Sequence, residues 1–419
     1  MNRQKDSPLL QLPNTFRAFY GEFLHLTSIQ KQSIQPILHG KDLIIQAATG
    51  AGKTEAVLAP SLERMLQSKQ HFSIMYIIPT RALATDLNRR LKPAFERLGL
   101  TLGIRTGDFK RGGKFPDAIL TTPESFDVML GSRQALVQQF LARLKIIIID
   151  EVHSLLHRYR GQQLVFCLQR LSRRHQQIQK IALSATIENP EHITQFFSFS
   201  PQSIYLKQST TRQIVPHLVH IKNDENEFIA FINDLYQRYQ NRKILIFANS
   251  RRHCDQLFAL LNEASQFKNC CGLHYSNLQA ESRQLVEQQF RQRQQALCIS
   301  TSTLELGIDI GDVDCVILFE PPDSVSAFLQ RIGRSNRRQQ HNSFWGICRG
   351  NQAQSQLLRF MSLINLARQG RIEKVPENSF PSVVVQQTIS CLYEKKQLSL
   401  ASMQNLLPQQ NDLLSQFWQ

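Results

Sequence analysis

No apolar run in this sequence approaches the roughly 18 residues that a membrane helix needs; the runs are short, such as Ile146–Ile149 and Val383–Val385. The N-terminal residues, MNRQKDSPLLQLPN, hold no apolar stretch of roughly 7–15 residues, so they do not read as a secretory signal. No membrane partner is expected. The eight cysteines (167, 254, 270, 271, 298, 315, 348 and 391) include no C-x-x-C pair. That argues against a zinc ribbon, an iron–sulfur cluster and a disulfide framework, and it fits a reducing cytoplasm, or the nucleoid in a bacterium. Internal repeats are absent, and the frequent Gln residues form no long tract. Acidic residues are in short supply: 33 Asp and Glu face 49 Lys and Arg, a formal charge of +16. Such an excess suits a polyanion such as nucleic acid, although a soluble basic surface would give the same sum. What the chain does have is apolar material, 42% of its 419 residues. That excludes wholesale disorder and leaves room for two to three domains.

Short apolar runs alternate with longer amphipathic segments. Strands are expected at Leu43–Gln46, Ser73–Ile78, Ala118–Thr121, Lys145–Ile149, Lys180–Leu183, Lys243–Phe247, Ala296–Ser300 and Cys315–Phe319. Those up to Leu183 read as parallel strands buried on both faces. Between them, Glu55–Ser68, Ala82–Leu98 and Leu164–Arg174 have helical apolar spacing. The alternation predicts an α/β fold of βαβ units, interrupted by a polar stretch near Phe196–Val215. The expected division is a first domain over 1–205, a linker over 206–215, a second domain over 216–372 and a helical appendage over 373–419. Within the appendage, Val383–Glu394 and Leu400–Leu407 read as two short helices.

Three clusters carry chemistry. Ala47-Ala48-Thr49-Gly50-Ala51-Gly52-Lys53-Thr54 follows a strand and opens a helix, the context that a phosphate-binding loop needs. Gly50 and Gly52 let the backbone wrap a phosphate, Lys53 reaches β- and γ-phosphates, and the Thr54 hydroxyl can ligate Mg²⁺. Ala47 stands where the general pattern has its first Gly. At the C-terminal end of the Ile146–Ile149 strand come Asp150-Glu151-Val152-His153. Asp150 can hold Mg²⁺ through water, and Glu151 can orient and deprotonate an attacking water. In the second half, Gln330-Arg331-Ile332-Gly333-Arg334-Ser335-Asn336-Arg337-Arg338 is densely basic. An Arg set against a γ-phosphate stabilises transition-state charge, whereas Arg338 fits a nucleic-acid contact better. If both halves serve one site, ATP lies between them, and its binding and hydrolysis close and reopen a cleft.

In this order, the three clusters resemble superfamily-two helicases, which implies two tandem RecA-like domains. Leu26-Thr27-Ser28-Ile29-Gln30 is similar to that family's adenine-reading motif. The resemblance places Gln30 on the adenine edge, which implies ATP over GTP. Pro79-Thr80-Arg81-Ala82-Leu83 and Thr122-Pro123-Glu124-Ser125 resemble motifs that grip a nucleic-acid backbone. Ser184-Ala185-Thr186 resembles the motif that couples hydrolysis to movement, and His153 is grouped with Ser184 and Thr186. Phe247-Ala248-Asn249-Ser250-Arg251 and the run Ser300–Asp309 resemble the fourth and fifth motifs. They imply Gly307 and Asp309 at the nucleotide, with Thr301 and Thr303 near phosphates. Arg334 and Arg337 fall at arginine-finger positions, with Gln330 in the same catalytic motif. Asn336 replaces a small Gly there.

The Lhr (large helicase-related) type is the nearer resemblance. It rests on Asp150–His153 followed by Ser154-Leu155-Leu156 and Arg160-Gly161, on Thr106-Gly107-Asp108, and on the last two motifs. Phe380-Pro381-Ser382-Val383-Val384-Val385-Gln386-Gln387 resembles the start of that family's winged helix, of which the appendage would form part. The type implies 3′-to-5′ movement on single-stranded DNA, separation of DNA or RNA:DNA duplexes, and a role in DNA repair. Little chain lies between the fifth and sixth motifs, Asp312–Leu329, so little is left for a long strand-separating hairpin. Backbone grip is expected from Arg81, Thr122, Asn249, Arg251 and Thr301, sequence-independent and salt-sensitive. Lys110–Lys114 reads as a basic turn. His274 and Tyr275 follow a strand and serve either nucleic acid or structure, and Phe344 and Trp345 fit a buried strand. Two other readings stand beside this one. A DEAD-box RNA helicase is favoured by Gln30 and disfavoured by His153 in place of Asp. An ATP-gated nucleic-acid-binding subunit of a repair or defence complex would hold a protein partner through the appendage.

Overall fold

The computed structural model describes residues 7–23, 25–48, 50–105, 115–174, 177–208, 213–222, 224–238, 243–263, 269–305, 310–335, 341–373 and 380–406. The chain divides into two compact units, residues 1–208 with 374–419, and residues 209–373. The first unit runs α1 (Pro8–Gln11), α2 (Phe16–Tyr20), α3 (Ser28–Leu38), β1 (Leu43–Gln46), α4 (Lys53–Gln67), β2 (Ser73–Ile77), α5 (Arg81–Arg97), β3 (Leu102–Arg105) and β4 (Ala118–Thr121). It continues through α6 (Pro123–Gly131), α7 (Ala135–Ala142), β5 (Leu144–Ile149), α8 (Tyr159–Ser172), β6 (Gln179–Ser184), α9 (Pro190–Phe196) and β7 (Ile204–Lys207). Among the described residues its sheet has seven strands, all parallel, ordered β3-β4-β2-β5-β6-β1-β7.

Side-chain alternation along β5 explains its uninterrupted Ile run. Ile146 and Ile148 enter a core with α4 and α5, while Ile147 and Ile149 enter the opposite core with α6 and α8. A strand with helices on both faces has no wet side, so its buried positions are apolar, and only Lys145 near its start is exposed. Each such Ile contributes about 1.5–3 kcal/mol by burial. The same sheet brings the C-terminal ends of β1, β2, β4, β5 and β6 to one edge, where open α/β sheets bind ligands.

The second unit runs β8 (Gln213–Ile221), α10 (Glu225–Arg238), β9 (Lys243–Phe247), α11 (Arg251–Glu263), β10 (Cys271–His274) and α12 (Ala280–Gln292). It ends with β11 (Ala296–Ser300), β12 (Cys315–Leu318), α13 (Val325–Ile332), β13 (His341–Arg349) and α14 (Ala353–Arg368). Among the described residues its parallel sheet is ordered β10-β11-β9-β12-β13-β8. No described helix in either unit is long and apolar enough to cross a membrane.

The stretch read as a linker, 206–215, proves to hold the end of β7 and the start of β8. β7 pairs with β1, and β8 runs in register with β13 from Gln213↔His341 to Ile221↔Arg349. Pro216 inside β8 argues against a strand when read locally. At a sheet edge its missing N–H goes unneeded, and β8 is an edge strand. The appendage, α15 (Pro381–Lys395) and α16 (Leu400–Leu406), packs on the first unit, with Val383, Val384, Cys391 and Met403 around Phe166 of α8.

Candidate nucleotide and nucleic-acid site

β1 delivers the chain to the phosphate loop, where the Ala47 N–H donates to the Ser184 carbonyl at the end of β6. Gly50 (φ 79°) and Gly52 (φ 78°) both take the left-handed conformation, and Gly52 caps α4 so that Lys53 is its first residue. Lys53 Nζ donates to the carbonyls of Ala47 (2.7 Å) and Ala48 (3.3 Å). Thr27 caps α3 in a reciprocal box with Gln30. The same pair touches the loop: Thr27 Oγ1 donates to the Ala51 carbonyl (3.2 Å) and Gln30 Nε2 to the Gly52 carbonyl (3.4 Å). The adenine-reading candidate is thereby tied to the phosphate loop.

Asp150 and Glu151 follow β5. Asp150 Oδ1 accepts from the Glu151 N–H and Oδ2 from the Tyr76 hydroxyl, both at 2.9 Å. Tyr76 is also hydrogen-bonded to Thr54, so one buried hydroxyl joins the two residues read as Mg²⁺ ligands. Burial pushes the Asp150 carboxyl up to about 6, with help from the Glu151 charge and against the pull of Lys53. Glu151 sits at φ 47°, a strained setting for a non-glycine residue, with its carboxylate buried. His153 Nδ1 lies 3.5 Å from Glu151 Oε2 and 2.8 Å from Ser184 Oγ. The Ser184 hydroxyl gives its own proton to the Thr186 carbonyl (2.6 Å), so in this arrangement it accepts from His153 Nδ1–H. Gln30, Gly50, Ala51, Gly52, Lys53, Thr54, Asp150, Glu151, His153, Ser184 and Thr186 thus share the sheet edge.

The grip candidates differ in freedom. Arg81 is exposed at the start of α5, which Thr80 caps. Thr122 is buried, and its hydroxyl accepts from Ser125 N–H to cap α6 (3.4 Å). In the second unit, Asn249 spends both ends of its amide internally. Nδ2 donates to the Pro321 carbonyl (2.9 Å) and Oδ1 accepts from Arg331 (2.8 Å). Arg251 is exposed near Ser276, and Thr301 precedes a 3₁₀ turn over Ser302–Leu304. Arg334 is buried and donates from Nη2 to the Glu305 carbonyl (2.7 Å), while Gln330 is half-buried on α13. His274 has a structural position: buried, with Thr303 Oγ1 at 2.8 Å and Glu287 at 3.0 Å. Thr49, Gly307, Asp309, Arg337, Arg338, Lys110–Lys114 and Thr106–Asp108 lie outside the described residues.

Residues 27–193 match the DEAD/DEAH box helicase family, and residues 227–339 match the helicase conserved C-terminal domain. Eukaryotic initiation factor 4A of Caenorhabditis elegans is 30% identical over 331 residues, which cover 77% of this chain and 80% of that one. The chain belongs to the superfamily-two DEAD/DEAH-box helicases. Within them it is similar to the Lhr type. The ATP-dependent helicase Lhr-Core of Methanocaldococcus jannaschii is 32% identical over 354 residues, 76% of this chain and 41% of that protein. A structure of Mycobacterium smegmatis helicase Lhr bound to ssDNA and AMP-PNP matches with a TM-score of 0.80 and 26% identity, over 95% of this chain and 55% of that one. The fold is accordingly two tandem RecA-like domains with a helical appendage. This helicase chain spans less than half the length of the curated Lhr relatives it matches.

Several residues of this helicase site carry no motif signal of their own. Tyr76 reads as one more apolar position of β2. Arg331, beside Arg334 in the basic cluster, pairs with Glu305 (2.7 Å) and lies over the Phe247 ring. Glu63, buried in α4, accepts from Asn14 and Thr15 and so anchors the start of α2. Gly52 offers a direct test. A Cβ there would lie 2.3 Å from Gln30 Nε2, on a backbone that L side chains rarely adopt. Gly52→Ala should weaken ATP binding about tenfold, a cost of about 1.4 kcal/mol. Titration with a fluorescent ATP analogue measures it.

Proposed function

We propose that this chain hydrolyses ATP with Mg²⁺ when single-stranded nucleic acid is bound. In this reading it moves 3′-to-5′ on DNA and separates DNA or RNA:DNA duplexes. The observation that carries the reading is the continuous contact path from Gln30 through the phosphate loop and Thr54–Tyr76–Asp150, with Glu151, His153 and Ser184 beside it. Asp150 and Thr54 offer hard oxygen donors, a set that suits Mg²⁺ completed by phosphate oxygens and water. When bound, the ion supplies positive charge that the developing phosphate oxyanions need. Lys53 exchanges two neutral carbonyls for phosphate oxygens, a stronger charge-assisted bond. Glu151 takes the proton of the attacking water, and His153 holds the Glu151 carboxylate toward Ser184 and Thr186. The finger role of Arg334 and Arg337 belongs to the same proposal. Support for DNA comes from the ssDNA in the Mycobacterium smegmatis structure.

Binding of labelled single-stranded oligonucleotides, read by fluorescence anisotropy at 50 and 200 mM salt, tests the grip. Arg81 and Arg251 neutralise about two phosphates, and a slope near −0.7 per phosphate makes a fourfold rise in salt weaken binding about sevenfold or more. The weakening should not depend on base sequence. Binding that is sequence-specific and flat with salt would contradict backbone grip.

A further inference from the structure

Gly161 cannot carry a side chain. A Cβ there would lie 1.7 Å from the Leu155 carbonyl oxygen, because the first turn of α8 presses against the turn that follows Asp150–His153. That close approach fixes the preceding residue, Arg160. Its guanidinium donates from Nε and Nη2 to the two carboxylate oxygens of Glu124, the second at 2.8 Å, and from Nη1 to the Pro79 carbonyl. Pro79 precedes Thr80 and Arg81, and Glu124 lies in the first turn of α6 behind its cap Thr122. One side chain therefore holds both first-unit grip loops, and its own place is set by the segment that carries Glu151. Burial would raise the Glu124 carboxyl, yet hydrogen bonds from Arg160 outweigh it and hold the group below its usual range. The fork is an ion pair at neutral pH. It is also half-exposed, with side chains 35% and 48% accessible. A pair so placed adds little to stability, generally under about 1 kcal/mol, so its geometry has another use.

We propose that Arg160 is a positioning residue that sets the spacing of the two nucleic-acid loops and ties it to the carboxylate segment. This inference rests on the proposed function. A planar fork that meets a carboxylate and a carbonyl at once is a task that Lys cannot perform with a point charge. Strand binding at Arg81 and at α6 then bears on the segment of Glu151 through Arg160 and the Gly161–Leu155 contact.

The test titrates single-stranded DNA into the ATPase assay of the full chain, with wild type, Arg160→Gln, Arg160→Lys, Glu124→Gln and the double Gln variant. We expect Arg160→Gln to raise the half-saturating DNA concentration about tenfold while KM for ATP stays within twofold. Arg160→Lys should recover only part of the loss. The double variant should match the singles, as expected of two residues in one contact. Wild-type DNA dependence in Arg160→Gln, full rescue by Lys, or additive losses would overturn the assignment. So would a loss of DNA-free hydrolysis or of melting temperature that accounts for the whole effect. If wild type itself neither binds DNA nor responds to it, the proposed function fails, and that outcome is distinct from a stimulated wild type with an indifferent Arg160.

Discussion

Glu151→Gln is expected to lower nucleic-acid-stimulated ATP hydrolysis by about two to four orders of magnitude, the usual contribution of a positioned base. ATP binding should stay within about twofold of wild type. The substitution keeps the shape of a buried side chain at φ 47° and removes its capacity to take a proton. The 3.5 Å approach of His153 Nδ1 becomes a contact with a neutral amide, so the link to Ser184 persists in weakened form. Steady-state hydrolysis measured beside nucleotide titration separates the two effects. Parallel losses of binding and turnover would assign Glu151 to folding of the loop and not to the base. Asp150→Asn should behave differently. Asp150 is the carboxylate that Tyr76 and the Glu151 N–H orient, so its loss should raise the Mg²⁺ requirement as well as lower turnover.

Arg170→Ala should destabilise the first unit by about 3–5 kcal/mol, the cost of leaving buried charges unpaired. Arg170 on α8 is 5% exposed and donates to Asp127 (2.5 Å), Glu394 (2.7 Å) and Gln387 (3.1 Å). Without it, two carboxylates from α6 and α15 face each other across the seam that holds the appendage. Burial alone would raise the Glu394 carboxyl, but hydrogen bonds from Arg170 and Arg174 prevail and hold it below its ordinary value. A depressed carboxyl stabilises the fold above its unfolded pKa, so this contribution is complete at neutral pH. It fades as the pH falls below the ordinary carboxylate range. For a unit of this size the cost corresponds to a melting point lowered by about 10 °C. Arg174→Ala, at a more exposed end of the same network, should cost under about 1 kcal/mol. Calorimetry on both variants checks the contrast. Equal losses would mean that the appendage is held by its apolar contacts around Phe166 and not by the ion pairs.

Most central strands were legible in the sequence because burial on both faces leaves mainly apolar residues; β13, central but polar at His341-Asn342-Ser343, was read only at Phe344 and Trp345. β1, β4, β9 and β11 fall on their expected residues, β2, β5 and β12 differ by one residue at one end, and β6 is longer by one residue at each end. Edge strands were not so legible. β3, β7 and β8 escaped, and β10 was read only as the strand before His274; these four border the two sheets. A strand with one neighbour is half-wet, so its pattern is mixed, as in Ile204–Lys207 and Gln213–Ile221. The site divides in the same way. Lys53, Asp150 and Glu151 stand out as candidates because phosphate and metal chemistry demand those residue types at that spacing. Tyr76 and Arg170 act through partners 43 to 224 positions away in sequence, and no local pattern marks them; Arg160-Gly161 carries a local signal, but its partner Glu124, 36 positions away, does not follow from it. Asn249 and Thr122 show the converse, motif residues whose side chains are already engaged by their own unit.

The rate of ATP hydrolysis by the full chain, measured without polymer, with single-stranded DNA and with single-stranded RNA at two salt concentrations, tests the central claim most directly. We expect strong stimulation by DNA, weakened at the higher salt and abolished by Glu151→Gln. A rate that neither polymer changes would contradict a nucleic-acid-driven motor, and stimulation by RNA alone would contradict the assignment to DNA.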